Sequence, residues 1–471
     1  LWILCKYTAP VFGTHIFEYS LVIAPVISLG HLSTTALAAS TLGSMTSSVT
    51  GFSIIQGFVS CLDTLLPCAW TSGHPKLVGL WCQRVTVVMG LMCIPIISIW
   101  FNAERILLLL KQEEEVAKLA GIYLRWLSLA LPGYIFNNIS RRYFQSQGLF
   151  SIPTRIVICV APINVALNYL LVLSPTPLRL GFIGAPISAV ISMNLISLLS
   201  ALYAVFWVPR TAWHPLSLRK AFSRLGVVCK LGFAGVGQTA TEWWSWEVLA
   251  CNFGPVALAA QSILESSAST SYQAPFSLSV ATSVRVGNLL GEENSKRAEL
   301  AARISLVMTL GIACVLSSMY FFFRHNWAYI FNNDPAVVEL VAKVLPLVAC
   351  FQLFDGLSAT SGGILRARGK QVTGALLNLS AYYIIGIPLA LVLAFYFEQG
   401  LFGLWVGITI ALLYGGVVGV WLCLRTDWAH EVDKVRERIE KERRMGLVLP
   451  EEVQTLMTAD EEESEGSRYA S

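Results

Sequence analysis

Stretches of about twenty or more mostly apolar residues recur along the whole chain, separated by short polar breaks. They fall at roughly 9–29, 35–66, 79–101, 119–144, 153–173, 182–208, 226–252, 256–284, 301–323, 336–363, 371–397 and 400–424. Each is long enough as a helix to cross about 30 Å of hydrocarbon. Composition agrees. Of 471 residues, 55% are hydrophobic and 13% charged, against about 25% charged in a soluble domain. No single water-soluble core could hide so much apolar surface, so the bilayer is the expected solvent. Pro25, Pro95, Pro132, Pro162, Pro275, Pro346 and Pro388 fall within or beside these spans, as membrane helices tolerate. The chain begins at Leu1 rather than Met, which predicts a natural N-terminal tail before it; no cleavable secretory signal is recognisable. The 11 cysteines follow no metal or disulfide spacing and read as small hydrophobes.

Basic residues alternate between loops. Those after even-numbered spans hold Lys76 and Arg84, then Arg141, Arg142 and Arg155, then Arg210, Arg219, Lys220 and Arg224. Arg285, Lys296, Arg297 and Arg303 follow, then Arg366, Arg368 and Lys370. Loops after odd-numbered spans are leaner, with Arg105, Lys111 and Arg324 as exceptions. The positive-inside rule then places the even loops and both termini in the cytoplasm. Thr426 to Arg444 interleaves Glu, Lys and Arg at helical spacing and reads as a solvated or membrane-surface helix. Glu451 to Ser471 is acidic and lacks periodicity, which predicts disorder.

Sliding the chain on itself by about 220 residues superposes related pieces. Ala36 to Ala39 lies over Ala257 to Ala260, Gly73 over Gly291, Gly148 over Gly369, and Gly181 to Gly184 over Gly400 to Gly403. Six spans per half give both halves the same orientation, related by an axis along the membrane normal, with a substrate path between or within them. The expected organisation is an N-terminal six-helix lobe (1–208), a basic cytoplasmic linker (209–225), a C-terminal six-helix lobe (226–425) and a charged tail (426–471).

A carboxylate at mid-membrane costs about 2.5–3.5 kcal/mol on insertion scales, so each needs a reason. The candidates are Glu18, Asp63, Glu242, Glu247, Glu265 and Asp355. Glu242-Trp-Trp-Ser-Trp-Glu247 is the densest feature. Trp246 shares the helix face of Glu242, while Trp243 and Trp244 share that of Glu247. Aromatic faces beside a carboxylate suit a hydrophobic cation. An acid taken out of water holds a proton more readily. It can hold that proton or pair with a cationic substrate, but poorly do both, and this competition is a simple basis for antiport. Asp355, Glu265 and the Tyr382-Tyr383 pair could complete the site. His15, Glu18 and Asp63 form a possible polar site in the N-terminal half, and Asp63 could instead stabilise a gate or helix end. The six histidines are scattered, and no metal-ligand pair, phosphate-binding loop or nucleophile–base constellation emerges, which argues against an enzyme.

These residues resemble the multidrug and toxic compound extrusion (MATE) family, in its eukaryotic branch, over nearly all of 9–424. The motifs that carry the resemblance are Glu242-Trp-Trp-Ser-Trp-Glu247, Ser283-Val-Arg-Val-Gly-Asn288 with Gly291, and Leu62-Asp-Thr-Leu65. Ser361-Gly-Gly-Ile-Leu-Arg366 with Gly369 and Tyr382-Tyr-Ile-Ile-Gly-Ile-Pro388 complete the set. The resemblance implies an all-α membrane fold of twelve helices in two pseudo-symmetric six-helix lobes forming a V. It implies export of organic cations and drug-like xenobiotics in exchange for protons, with coupling centred on Glu242 and Asp355; Glu247 matches the second acid of the span 7 motif. Sodium coupling is a sub-alternative, and a flippase for lipid-linked precursors is the alternative from another class, for which cavity arginines or lysines would hold phosphate. The expected partners are small molecules, protons and the bilayer of a plasma or vacuole-type membrane. No nucleic acid, cofactor or metal is expected, and the chain is read as a monomer. Vertebrate members carry their span 8 Glu one residue later, at the position of Ser266, about 100° around the helix from Glu265. Pro67, Cys68 and Trp70 also depart from the family pattern in span 2, as do His15 and Glu18 in span 1.

Overall fold

The structure is a computed structural model that describes residues 1–174, 177–248, 255–331 and 333–444. Of Thr34, Trp246 to Val248 and Pro255 it describes the backbone alone. The described secondary structure is helical throughout. Among the described residues, ten helices are long and apolar enough to cross a membrane. In the first half they are α1 (Trp2–Gly30), α2 (Thr35–Thr71), α3 (Lys76–Phe101), α4 (Glu114–Ser146), α5 (Ser151–Leu173) and α6 (Gly181–Phe206). Two further helices follow the linker, α7 (Leu225–Val248) and α8 (Pro255–Gly291), with 24 and 37 residues. Then come α9 (Ser295–Ile330), α10 (Pro335–Ala367), α11 (Gln371–Tyr396) and α12 (Gly400–Leu424). The helices α7 and α8 are amply long but rich in Ser, Thr, Gln and acids. They therefore fall outside the apolar set, and their polar faces need something other than lipid beside them.

Local chemistry sets several boundaries. The Asn294 side chain accepts from the Arg297 amide at 3.1 Å and opens α9. Asp334 does the same for Ala336 at 2.9 Å, with Pro335 in the first turn of α10. Wide π turns interrupt α2 at Ser48–Phe52, α5 at Tyr169–Leu173 and α11 at Ser380–Gly386 and Val392–Tyr396. Two of these sit in matching places of α5 and α11, about 220 residues apart.

The repeat is visible in the backbone as well. Gly148 and Gly369 both carry positive φ (79° and 70°), as do Gly181 and Gly400 (62° and 54°). Gly73 (81°) has its conformational counterpart at Glu293 (57°), two residues beyond the Gly291 that sequence overlap suggested. Gly291 instead lets two helices touch: a Cβ there would meet the Cys68 carbonyl at 2.6 Å.

Buried apolar side chains form one large cluster in each lobe. The first runs from Ile55 and Phe58 through Trp100 and Leu131. The second joins α8, α9, α10, α11 and α12, with Val344, Phe351 and Trp405 inside. The linker crosses α3 closely. Gln83 Nε2 donates to the His214 carbonyl at 2.8 Å, and a Cβ on Gly79 would meet the His214 nitrogen at 2.6 Å.

Two expectations need correction. Arg84, Arg141, Arg142 and Arg366, read as loop residues, lie within α3, α4 and α10, and all four are mostly buried. The segment after α12 is a helix, α13 (Trp428–Arg444), but it packs on the helical body and is not simply solvated. Its charges conceal a stripe of buried residues, Trp428, Glu431, Val432, Val435 and Glu442. Spacings of three, four and seven residues put these on one face.

Candidate functional site

A cavity of about 560 Å³ lies between the lobes and takes lining residues from both. From the first lobe come His15 and Glu18 on α1, Gln56 and Asp63 on α2, and Arg141 and Arg142 on α4. Every acid on this wall is matched by an arginine. Arg141 ion-pairs with Glu18, and His15 Nδ1 lies 3.5 Å from the same carboxylate. Arg142 Nε donates to Asp63 Oδ1 at 2.9 Å, and its Nη2 to Gln56 Oε1 at 3.3 Å. Arg366 reaches across from α10 with its Nε 3.4 Å from Asp63 Oδ2, and also donates to Ser279 Oγ at 3.2 Å. One acid of the first lobe thus sits between two arginines, one from each lobe.

The second-lobe wall is different. Glu242 on α7, Glu265 on α8 and Asp355 on α10 all line the cavity. Tyr272 Oη donates to Glu242 Oε1 at 3.4 Å. Asp355 is 5% exposed and close enough to Glu242 for the two charges to interact. Among the described residues, no Lys, Arg or His lies within ion-pair distance of Glu242 or Asp355. Asn378 fixes the adjacent turn of α7, donating to the Gln238 carbonyl at 2.8 Å. Trp243 is 37% exposed and faces the cavity, an aromatic surface next to Glu242. Among the described residues no group of three His, Cys, Asp or Glu could hold a metal ion. The arrangement can take a cation beside Glu242 and Asp355, which have no cationic side chain within ion-pair distance among the described residues.

Comparison with known proteins identifies the frame. The family model MatE matches residues 10–170 and 245–392. The chain belongs to the MATE family. An uncharacterised transporter of Schizosaccharomyces pombe is 37% identical over 94% of this chain and 82% of its own length. Multidrug and toxin extrusion protein 2 of Mus musculus is 33% identical, covering 92% of this chain and 76% of that one. The crystal structure of the eukaryotic MATE transporter AtDTX14 superposes with a TM-score of 0.87 at 30% identity, over 93% of this chain and 98% of that one. This chain is therefore a multi-pass integral membrane protein with the MATE fold, a transporter and not an enzyme.

In this MATE protein the residues singled out in the sequence divide into groups. His15, Glu18, Asp63, Glu242, Trp243, Glu265 and Asp355 meet at the cavity. Position 265 faces it, while Ser266, where vertebrate relatives carry the acid, is not among the lining residues. Tyr382 is buried in the second-lobe core and Tyr383 is partly buried against it; neither lines the cavity. Tyr382 is nonetheless close enough to feel the charges of Glu242 and Asp355. The side chains of Trp246 and Glu247 lie outside the described residues, as does the acidic stretch 451–471. Reading the sequence for unexpected acids passed over Tyr272, Gln273 and Phe276 on α8, and Arg141, Arg142 and Arg366. The signal for Tyr272 and Phe276 was present: Glu265, Ser269, Tyr272, Phe276 and Val280 recur at three- and four-residue steps, and all line the cavity.

Proposed function

We propose that this MATE transporter expels organic cations from the cytoplasm in exchange for protons, with Glu242 and Asp355 as the exchanging carboxylates. The observation that carries the reading is the contrast between the two walls. Glu18 and Asp63 are held by arginines, which fix them as anions already spoken for. Among the described residues Glu242 and Asp355 share the cavity with no arginine within ion-pair distance. A proton or a cationic substrate satisfies them, and either displaces the other. Trp243 and Phe276 supply aromatic surface for the apolar body of such a cation. Glu265 adds negative charge to the same wall. A pH difference of one unit supplies about 1.4 kcal/mol per proton, enough for about tenfold accumulation in electroneutral one-for-one exchange.

The topology that goes with this reading has both termini and the basic loops on the cytoplasmic side of a plasma or vacuole-type membrane, supported by the distribution of Lys and Arg. The lobes are 1–208 and 226–425, the linker is 209–225 and the tail is 426–471, and the protein works as a monomer. A flippase reading needs cavity arginines free to hold phosphate. Three arginines line the cavity, and each is engaged by Glu18 or Asp63, which favours the cation reading.

The test is uphill efflux of an organic cation from proteoliposomes under an imposed pH gradient. Glu242→Gln is expected to abolish it while the protein stays folded by size exclusion. Unchanged uphill transport in that variant removes Glu242 from coupling. Replacing the pH gradient by a sodium gradient should give no accumulation; transport driven by sodium alone would overturn the proton assignment.

A further inference from the structure

The lobes are pressed together at the Asp63 end of the cavity. A Cβ on Gly57 would meet the Val236 nitrogen at 2.7 Å, and one on Gly287 would meet Pro67 Cβ at 2.7 Å. Backbone and side chains bond across this seam. Thr64 Oγ1 donates to the Arg366 carbonyl at 2.5 Å and accepts from Gln371 Nε2 at 2.9 Å. Thr71 Oγ1 donates to the Asn288 carbonyl at 2.7 Å. Toward the other end the lobes are joined at α2 and α7, where Trp244 Nε1 donates to the Val49 carbonyl at 3.1 Å, while Val22, Val26 and Ile27 of α1 are exposed. The cavity is therefore shut at one end, and Asp63, between Arg142 of one lobe and Arg366 of the other, lies at the inner edge of the closure.

Outside this layer lies α13. Trp428, Val432 and Val435 pack with Leu290, Ala302 and Ile364 of the second lobe, and the same cluster contains Cys68 of the first. Glu431 binds Arg368 at the end of α10 at 3.2 Å. Near its other end Glu442, almost wholly buried, binds Arg84 of α3 at 3.3 Å and also Arg224 of the linker. One end of α13 is thus anchored to the second lobe, and the other to the first lobe and the linker. Any movement that separates the lobes at this end must break one of the two anchorages. The apolar anchorage on the second lobe is the more extensive. At the Glu442 end the helix meets Leu65, Leu77 and Trp81 of the first lobe over a smaller apolar area, and the ion pairs of Glu442 fix that contact.

We propose that the closed end of the cavity is a two-layer ionic gate, with Asp63 as the inner catch and Glu442 as the outer one, and that α13 straps the gate shut. Both are positioning residues for transport. They hold one end closed while the other is open, and both ion-pair sets part when the cavity turns to the opposite side. The proposal rests on the function proposed above only in naming this side cytoplasmic.

Cys68 is a native reporter, because it lies buried at the seam beneath Val435, Arg438 and Glu442. The purified full chain in detergent, without substrate or gradient, is treated with N-ethylmaleimide, and modification of each cysteine is followed by peptide mass spectrometry. Breaking a buried ion pair by removing one partner is strongly destabilising to that contact. Glu442→Gln should therefore raise the Cys68 rate at least about tenfold, while Cys61, buried in the first-lobe core two residues from Asp63, stays protected. Adding Asp63→Asn should then expose Cys61 too. An unchanged Cys68 rate in Glu442→Gln overturns the strap, and so does a parallel rise of Cys61 in the single variant, which means general loosening. Should Glu442→Gln fail to fold, Arg224→Gln keeps the Arg84 contact and gives the same layered readout with a smaller rise. The measurement involves neither protons nor cations as cargo. Its failure leaves the exchange reading standing, and the failure of exchange leaves the gate standing.

Discussion

At the scale of single residues, two acids can share a cavity and still have different chemistry. Glu18 lies against Arg141 and His15, whereas Glu242 accepts a hydrogen bond from the Tyr272 hydroxyl at 3.4 Å and has no cation within ion-pair distance among the described residues. A hydrogen bond to a charged group contributes about 1.5–3 kcal/mol when well formed, and one this long contributes less. Tyr272→Phe is therefore expected to raise the KM for an organic cation by no more than about tenfold while the maximal rate persists. Initial-rate measurements in proteoliposomes check this. A loss as complete as that expected for Glu242→Gln would mean that Tyr272 itself relays the proton. Helical periodicity is enough to put Tyr272 on the face of Glu265, although a reading for unexpected acids passes over it. What sequence could not supply was the partner of each acid: Arg141 lies 123 positions from Glu18, and Arg366 lies in the other lobe from Asp63.

At the scale of elements, the linker and α13 show how charged segments dock on a membrane protein. The linker sits on α3 through His214, whose Nδ1 donates to the Pro215 carbonyl at 2.7 Å. Burial pushes the imidazole pKa below its usual value, reinforced by Lys220, Arg84 and Lys76 nearby. The undocked linker then binds more protons than the docked one as pH falls through about 6.5, so acidification weakens docking. Hydrogen exchange across 207–224, corrected for the intrinsic pH effect, should be faster at pH 5.5 than at pH 7.5. His214→Asn should remove that difference; an equal pH effect in the variant would assign it to another group. For α13, composition suggested a helix bathed in water or lying on the membrane. Its buried acids escaped notice because a Glu among Lys and Arg reads as solvated until its partner, here Arg84 or Arg368, is seen.

At the scale of the whole molecule, the two lobes repeat the same helices and turns but divide the labour. The first lobe holds its cavity acids in ion pairs, and among the described residues Glu242 and Asp355 of the second have none. The lobes meet through small residues at the closed end, where backbones approach too closely for side chains. Gly57→Val forces its new atoms against the backbone of Val236. Overpacking of this kind costs about 1–3 kcal/mol. The variant should melt several degrees lower in detergent and should raise the Cys68 modification rate with Glu442 intact. An unchanged melting midpoint and an unchanged rate together would mean that the seam is looser than drawn.

The sequence by itself determined that this chain lives in a bilayer, that it crosses it with helices arranged as a repeat, and that it belongs beside the MATE transporters. Length, hydropathy and helical period are local properties, and a motif such as Glu242-Trp-Trp-Ser-Trp-Glu247 is local too. The tertiary structure alone decided which acids are neutralised, which face an open cavity, and that α13 fastens the lobes together. Those are relations between side chains from 63 to 358 positions apart. A helix face read from periodicity says where a residue points, but the charge that meets it is set by how the helices pack.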